Sequence, residues 1–175
     1  APHADFLSLN LNCPNSLGGV SVFEDPRVLR ELFVALGEVP GLPPVFAKAK
    51  TPRGEASIDA VLEAADGFHF IRGFVPNPML PKPYSGLNTP PAELAALPGT
   101  LSGPFRHRLV GPSVRAWYAR IDPRRHALFG VGGIRTAEEA YALIRAGASM
   151  VQVLTALVYR GPALVGAIKR GLDRL

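Results

Sequence analysis

Residues 127–154 read ALFGVGGIRTAEEAYALIRAGASMVQVL, and this stretch decides the fold. The short apolar runs 127–132 and 149–154 predict two strands. Between them, the stretch 136–146 has the apolar spacing of an amphipathic helix and is opened by Thr136, a typical N-cap residue. A strand, a helix and a second strand in this order predict a parallel βαβ unit.

The same alternation continues towards the N-terminus. Further strands are predicted at 5–12, 44–50 and 68–76, and further helices at 25–36, 57–65, 91–97, 105–121 and 162–175. Asp25 and Ser57 are predicted N-caps, and Pro112 is expected to kink or restart its helix. A closed barrel needs eight strands and about 250 residues. The five units therefore predict either an open doubly wound sheet or a barrel that lacks about three units.

Composition limits the functional classes. The chain has 175 residues, 47% of them hydrophobic, and a single cysteine, so we expect one folded domain over residues 1–175 without an intrachain disulfide. The net charge is +5, and basic residues cluster between Arg106 and His126. The aromatic residues among them, Trp117 and Tyr118, fall on the apolar face of the predicted helix and are not interleaved as stacking platforms, so we interpret the cluster as a solvated helix face and expect no nucleic-acid partner.

The predicted strands and loops end in polar or glycine residues. In a parallel barrel the functional groups lie at the carboxyl ends of the strands and in the loops that follow. The candidates at these positions are Asn10, Cys13, Asn15, Lys48, Lys50, Asn77, Ser102, Gly103, Gly132, Gly133, Leu154 and Thr155. A purely structural sheet would not require this chemistry at every strand end.

Two of these motifs carry a family resemblance. Residues 10–15 (NLNCPN) resemble the motif N-[LI]-S-[CS]-P-N of dihydroorotate dehydrogenases, and residues 129–175 resemble the C-terminus of that family almost throughout. Lys48, Asn77 and the Ser102-Gly103 pair lie between the two motifs in the expected order. The resemblance implies that the chain is the C-terminal portion, about strands 4–8, of an α/β fold, a single FMN-binding TIM (β/α)8 barrel domain.

The resemblance also implies an activity, the FMN-dependent oxidation of dihydroorotate to orotate in de novo pyrimidine biosynthesis. Cys13 is then the base that removes a proton, and a thiol with an ordinary pKa of about 8.5 can be tuned towards working pH. Asn10, Asn15 and Asn77 are the expected substrate ligands. Outside this context a lone cysteine is more often a small buried hydrophobe, and asparagines are common turn residues.

The cofactor residues follow from the same resemblance. Lys48 is expected beside the flavin ring, and Lys50 is the competing assignment on the same predicted strand face. The other expected FMN ligands are Asn10, Ser102, Gly103, Gly132, Gly133, Leu154 and Thr155. Glycine turns and helix starts let backbone N–H groups approach a phosphate. No G-x-G-x-x-G fingerprint follows a strand, which favours FMN over NAD, and no metal is expected.

Some residues depart from the family pattern. Cys13 is typical of the soluble class that uses fumarate or NAD, whereas the C-terminal half resembles the membrane-associated class that reduces quinone. Asn12, Pro78 and Leu154 stand where Ser, Thr and Tyr are common. The electron acceptor therefore stays open. Two alternative functions also remain: a related flavin barrel acting on another dihydropyrimidine, including dihydrouridine in RNA, or a non-catalytic half barrel that binds flavin or phosphate.

In a sheet of five strands, the first and the last strand each have one edge without a neighbouring strand. Unpaired apolar edges invite pairing with another chain. We therefore expect as partner an N-terminal barrel half, either cleaved from the same gene product or a second chain, or else a second copy in a homo-oligomer. Dihydroorotate and orotate are the expected small-molecule partners. The expected location is cytoplasmic, or peripheral to a membrane through an N-terminal part.

Overall fold

The computed structural model describes residues 3–11, 25–49, 55–79, 86–97 and 99–175. Within these ranges five parallel strands form one sheet, in the order β1-β2-β3-β4-β5. The strands are β1 (Leu7–Asn10), β2 (Val45–Ala49), β3 (Ile71–Pro76), β4 (Ala127–Val131) and β5 (Met150–Gln152). All five predicted strands are thus confirmed, each shorter than its prediction.

Helices follow the strands in the described part of the chain. They are α1 (Pro26–Gly37), α2 (Glu55–Ala65), α3 (Pro91–Ala96), α4 (His107–Tyr118), α5 (Ala137–Arg145), α6 (Thr155–Arg160) and α7 (Ala163–Leu172). A 3₁₀ turn, Pro104–Arg106, leads into α4. The short helix α6 was not predicted, and Gly161 separates it from α7. Among the described helices, none has the length and apolar character needed to cross a bilayer.

The strand order distinguishes the two predicted architectures. Each strand pairs with the next one along the chain, and the order never reverses. A doubly wound sheet reverses its order and carries helices on both faces. Here the large core joins one sheet face to the helices, whereas the described residues of a second cluster all come from strands, namely Phe46, Val75, Phe129, Ala127 and Val131. The structure is therefore a parallel half barrel with an outer, helix-covered face and an inner face.

The outer face contains most of the buried apolar side chains. Trp117 from α4 is fully buried, and its ring centroid lies 4.9 Å from that of Phe74 in β3. Leu29 and Phe33 of α1 are also fully buried. Burying a large side chain of this kind stabilises the fold by about 1.5–3 kcal/mol. The outer face thus holds the helices against the sheet.

Strand β2 shows the alternation that the sequence predicts. Ala47 and Ala49 belong to the outer core, whereas Phe46 faces inward and stacks on Phe129 at a centroid distance of 4.3 Å. Lys48 has the same parity as Phe46 and lines a pocket at the end of the strand. Phe46 and Lys48 therefore share the inner face of β2. Lys50 lies outside the described residues.

Two predicted caps are confirmed. The Asp25 carboxylate accepts a hydrogen bond of 2.9 Å from the backbone N–H of Arg27, with Pro26 at the first position of α1. Thr136 caps α5 in a reciprocal capping box with Glu139, in which the Glu139 N–H donates to Thr136 Oγ1 at 3.2 Å. These caps explain why both helices begin where the sequence predicts.

One other predicted cap is wrong, and one of the two alternatives for Pro112 is excluded. Ser57 is not an N-cap, because α2 begins at Glu55 and Ser57 lies in its first turn. Pro112 does not restart a helix, because α4 continues through it. Proline removes one backbone hydrogen bond. The fully buried Val110 and Val114 on either side supply packing that outweighs this loss.

Candidate functional site

A pocket of about 380 Å³ lies at the carboxyl ends of the strands. Its wall is formed by β2 and by the segments that follow β3, β4 and β5, together with the turn before α4. The described residues that line it are Lys48, Asn77, Ser102, Gly103, Pro104, Arg106, Val131, Gly132, Gly133, Ile134, Arg135, Gln152, Val153, Leu154, Thr155, Ala156, Tyr159 and Arg160. Residues distant in sequence therefore meet at the edge of the sheet where barrel sites form.

One corner of the pocket is built from glycine backbone. Gly103, Gly132 and Gly133 all have positive φ angles, a region that other residues rarely adopt. A Cβ atom on Gly133 would lie 2.8 Å from the carbonyl oxygen of Gly103 and 2.8 Å from the backbone nitrogen of His107. The turn after β4 therefore packs directly on the start of α4, and only glycine fits there.

Two hydroxyl groups lie beside this corner. Ser102 Oγ and Thr155 Oγ1 are 3.1 Å apart, so the segment before α4 is hydrogen-bonded to the start of α6. Each hydroxyl can also donate to or accept from a further group. Glycine backbone next to paired hydroxyls is an environment that suits an oxygen-rich anion such as phosphate.

The amine and amide groups come from the first three strands. Lys48 of β2 is half-buried and stands opposite Asn10 of β1 in the strand register. Asn77 follows β3 and is only 7% exposed, and its backbone N–H donates to the Ala49 carbonyl oxygen at 2.8 Å. Asn10 is exposed and does not line the pocket. The pocket thus receives Lys48 and Asn77 directly, with Asn10 one strand away.

The structure brings most of the predicted site residues together. Those that line the pocket are Lys48, Asn77, Ser102, Gly103, Gly132, Gly133, Leu154 and Thr155. Cys13 and Asn15 lie outside the described residues. The functional roles assigned to all of these residues stay predictions.

Arg106 is a pocket residue that the sequence analysis missed. It was predicted to lie on a solvated helix face, and this is wrong, since it is only 8% exposed. Its guanidinium donates to Oδ1 of Asn77 and to the carbonyl oxygen of Pro78. Gly103, which has a positive φ angle, lies just before the 3₁₀ turn that ends at Arg106, and both residues line the pocket. Its position four residues after Ser102 was the available signal.

Further cations stand at the rim. Arg135 pairs with Glu139, and Arg160 donates to the Arg135 carbonyl oxygen at 2.7 Å. Burial alone would raise the pKa of Glu139, but hydrogen bonds from the side chain and backbone of Arg135 outweigh it and hold that pKa below its usual value. Burial lowers the pKa of Arg106, although an arginine stays protonated in proteins. The pocket is therefore electropositive.

Comparisons with known proteins agree with this picture. The family model described as dihydroorotate dehydrogenase matches residues 1–175. A dihydroorotate dehydrogenase (quinone) of Anaeromyxobacter dehalogenans is 36% identical over 99% of this chain and 47% of the relative. The corresponding protein of Streptomyces coelicolor is 32% identical over 98% of this chain and 48% of the relative.

A solved structure shares the fold. The dihydroorotate dehydrogenase of Eimeria tenella in complex with ferulenol superimposes with a TM-score of 0.79 at 25% identity. The match covers 97% of this chain and 49% of that one. The chain thus spans about half the length of the curated relatives and of the solved structure that it matches.

Proposed function

The chain belongs to the dihydroorotate dehydrogenase family, and from this premise we propose that it supplies the flavin- and substrate-binding half of an enzyme that oxidises dihydroorotate to orotate with FMN. The observation that carries the proposal is the single pocket in which Lys48, Asn77 and Gly133 meet from three different strand ends. Because the chain spans only about half of its relatives, the activity is proposed for the complete barrel.

The glycine corner of the pocket fits the phosphate of FMN. A side chain on Gly133 would fill the space against Gly103, so the backbone itself forms the wall. Ser102 and Thr155 offer hydroxyl donors beside it, and Gly132 and Leu154 line the same pocket. FMN, when bound, would supply the acceptor for the hydride that leaves C6 of dihydroorotate.

A second group of side chains would act on the substrate and on the flavin ring. Asn10, Asn15 and Asn77 would hold the pyrimidine ring, since an amide can both donate and accept. The Cys13 thiolate would take the proton from C5 as the C5–C6 double bond forms. Lys48 would place a positive charge where negative charge builds up on the cofactor.

The inner face supports the proposed partner, an N-terminal barrel half. Phe6 packs edge-on against Phe46 and Phe129 but remains 38% exposed. Met150, opposite Phe129 in β5, is 47% exposed. These side chains lie at the two open edges of the sheet, where further strands would cover them. A second copy of the chain is the competing occupant.

A quinone is the proposed electron acceptor. The relatives from Anaeromyxobacter dehalogenans and Streptomyces coelicolor bear the designation quinone, and their similarity extends over nearly all of this chain. Reoxidation of the reduced enzyme by a soluble quinone, faster than by fumarate or NAD, is the expected result. Faster reoxidation by fumarate or NAD would instead align the chain with the class that Cys13 suggests.

One basic cluster lies in the wrong place to support the dihydrouridine alternative. The exposed basic residues His69, Arg72, Arg124 and Arg125 surround a small pocket at the amino ends of β3 and β4. The candidate site lies at the carboxyl ends, on the opposite edge of the sheet. An RNA strand held by these cations would lie far from the site where its base must enter.

The test uses the complete barrel and follows the flavin absorbance. Bound FMN should bleach when dihydroorotate is added without oxygen. Cys13→Ala should retain FMN but slow bleaching by about 10²–10⁴-fold, the usual cost of removing a general base. Lys48→Ala should weaken FMN binding and slow its reduction, and Lys50→Ala should do less.

Other outcomes would overturn the proposal. A complete barrel that binds FMN but does not bleach would favour the non-catalytic alternative. Bleaching by another dihydropyrimidine alone would favour the related flavin barrel. Normal bleaching in Cys13→Ala would refute the assigned base, and a larger loss in Lys50→Ala than in Lys48→Ala would reverse the lysine assignment.

A further inference from the structure

Arg106 connects two loops of the pocket. It ends the 3₁₀ turn before α4, and its side chain reaches the segment that follows β3. Nη2 donates to Oδ1 of Asn77 and to the carbonyl oxygen of Pro78, and Nε donates to the same carbonyl at 3.1 Å. The backbone N–H of Asn77 is separately bonded to Ala49. Asn77 is therefore held by its backbone on one side and by Arg106 on the other.

This contact determines which way the amide of Asn77 points. A guanidinium has five N–H donors and no acceptor. The Asn77 atom that Arg106 contacts must therefore be the oxygen. Arg106 engages one lone pair of Oδ1, so the Nδ2 group with its two donors is the larger part of the hydrogen-bonding capacity that Asn77 has left for a ligand. A ligand that hydrogen-bonds to Nδ2 must then present an acceptor atom.

The charge of Arg106 acts in the same direction. Its hydrogen-bond partners among the described residues are the uncharged oxygens of Asn77 and Pro78, and none of the ion pairs in the same part of the chain includes it. A buried charge without a counterion is costly. Lys48 lines the same pocket. An acceptor group carrying negative charge would therefore be favoured beside Asn77.

We propose that Arg106 is a positioning residue, which acts through Asn77 by fixing the amide so that Nδ2 donates to an acceptor oxygen of the substrate. This inference rests on the proposed function. In dihydroorotate the acceptors of this class are the carboxylate and the ring carbonyl oxygens. Arg106 need not touch the substrate. Its charge is kept in a lysine variant, whereas the effect of its hydrogen-bonding geometry should disappear when Asn77 has no amide to orient.

A double-mutant cycle on the complete, FMN-loaded barrel tests this directly. Orotate affinity is read from the change in flavin absorbance, and FMN content is measured for each variant. Arg106→Lys keeps the charge but loses the branched donor, and it should weaken orotate binding about tenfold, in line with the loss of one hydrogen bond to a charged group. In an Asn77→Ala background the same change should have no further effect. Additive losses would show that Arg106 acts independently and would overturn the proposal.

Asn77→Asp provides a second, nearly isosteric test. The new carboxylate can still accept from Arg106, now as an ion pair, so FMN content and melting temperature should be retained. Orotate binding should weaken at least tenfold, because acceptor oxygens replace the two N–H donors. Unchanged orotate affinity in this variant would refute the assigned orientation. Arg108→Lys is the matched control, since Arg108 is exposed, and should leave orotate affinity unaltered.

A measurement without substrate separates this inference from the proposed function. The ¹⁵N–¹H signals of the Asn77 side-chain amide should shift in Arg106→Lys and stay unchanged in Arg108→Lys. If the parent protein binds neither FMN nor orotate while this shift is seen, the proposed function fails and the positioning contact stands. If the parent binds both and the Asn77 signals do not respond to Arg106→Lys, the positioning role fails alone.

Discussion

The two faces of the sheet differ in how completely they are covered. On the outer face, Phe74 and Leu128 are fully buried under the helices. On the inner face, Phe46, Val75 and Phe129 form a small buried cluster, but Phe6 beside it is 38% exposed. The described side chains of the outer face are therefore buried in a continuous core, whereas on the inner face only the central side chains are buried.

The two faces of the sheet therefore have different roles: the outer face mainly stabilises the fold, and the inner face mainly contributes to the candidate site. The outer core fixes the strand order and positions the strand ends. The inner face and the carboxyl-end loops supply Lys48, Asn77 and the glycine corner. Substitutions on the outer face should mainly change the free energy of unfolding, and those near the pocket should mainly change ligand binding.

The largest expected effect is on the outer face. Trp117→Ala should lower the free energy of unfolding by about 3–5 kcal/mol, the usual cost of truncating a fully buried aromatic side chain. Because Trp117 is the only tryptophan, urea unfolding should be followed by circular dichroism rather than by fluorescence. A loss below about 1 kcal/mol would contradict the view that this face carries the fold.

The matched inner-face variant is Phe6→Ala. Its ring lies 5.3 Å from that of Phe46 and 5.6 Å from that of Phe129, and we expect a loss of about 1 kcal/mol, as for an exposed aromatic contact. The loss should grow when the N-terminal barrel half is present, because the ring would then be buried. Equal losses for Phe6→Ala and Trp117→Ala would remove the distinction between the faces.

An intermediate effect is expected where the two faces meet, at the turn after β4. Gly133→Ala places a Cβ 2.8 Å from two backbone atoms and forces a non-glycine residue to a φ of 72°. Strain of this kind costs about 1–3 kcal/mol. FMN retention should fall more steeply than stability, because the same turn forms the proposed phosphate corner. Gly41→Ala, at a φ of 65° in open space, is the control and should leave FMN binding unchanged.

The sequence predicted the outer face better than the inner one. Helical spacing and the Asp25 and Thr136 caps depend on neighbouring residues, so local patterns reveal them. Arg106 was assigned to solvent because its burial depends on Asn77 and Pro78, which lie 28 or 29 residues away. Helix α6 escaped prediction because a six-residue helix has little periodicity. The candidate residues come together only because their strands are neighbours in the sheet. Motifs found along the sequence do not show which strands are neighbours.

The smallest expected effect concerns the capping box of α5 and depends on pH. Hydrogen bonds from Arg135 hold the pKa of Glu139 below its usual value, and the carboxylate also accepts from the Thr136 backbone N–H at 3.2 Å. A carboxyl whose pKa is lower in the folded state stabilises the fold above its unfolded pKa of about 4.3, and this stability is lost as the pH falls through the folded pKa. Glu139→Gln keeps an acceptor for the cap but loses the charge.

The variant should therefore be less stable than the parent at pH 7, and the difference should vanish as the pH is lowered below the folded pKa of Glu139. Melting temperatures of both proteins between pH 7 and pH 3 measure this directly. Arg135 and Glu139 stand near the pocket rim, but neither residue belongs to the glycine corner. FMN retention at pH 7 should therefore change little in this variant. A stability difference that stays constant across the pH range would show that the Glu139 charge does not contribute to the cap.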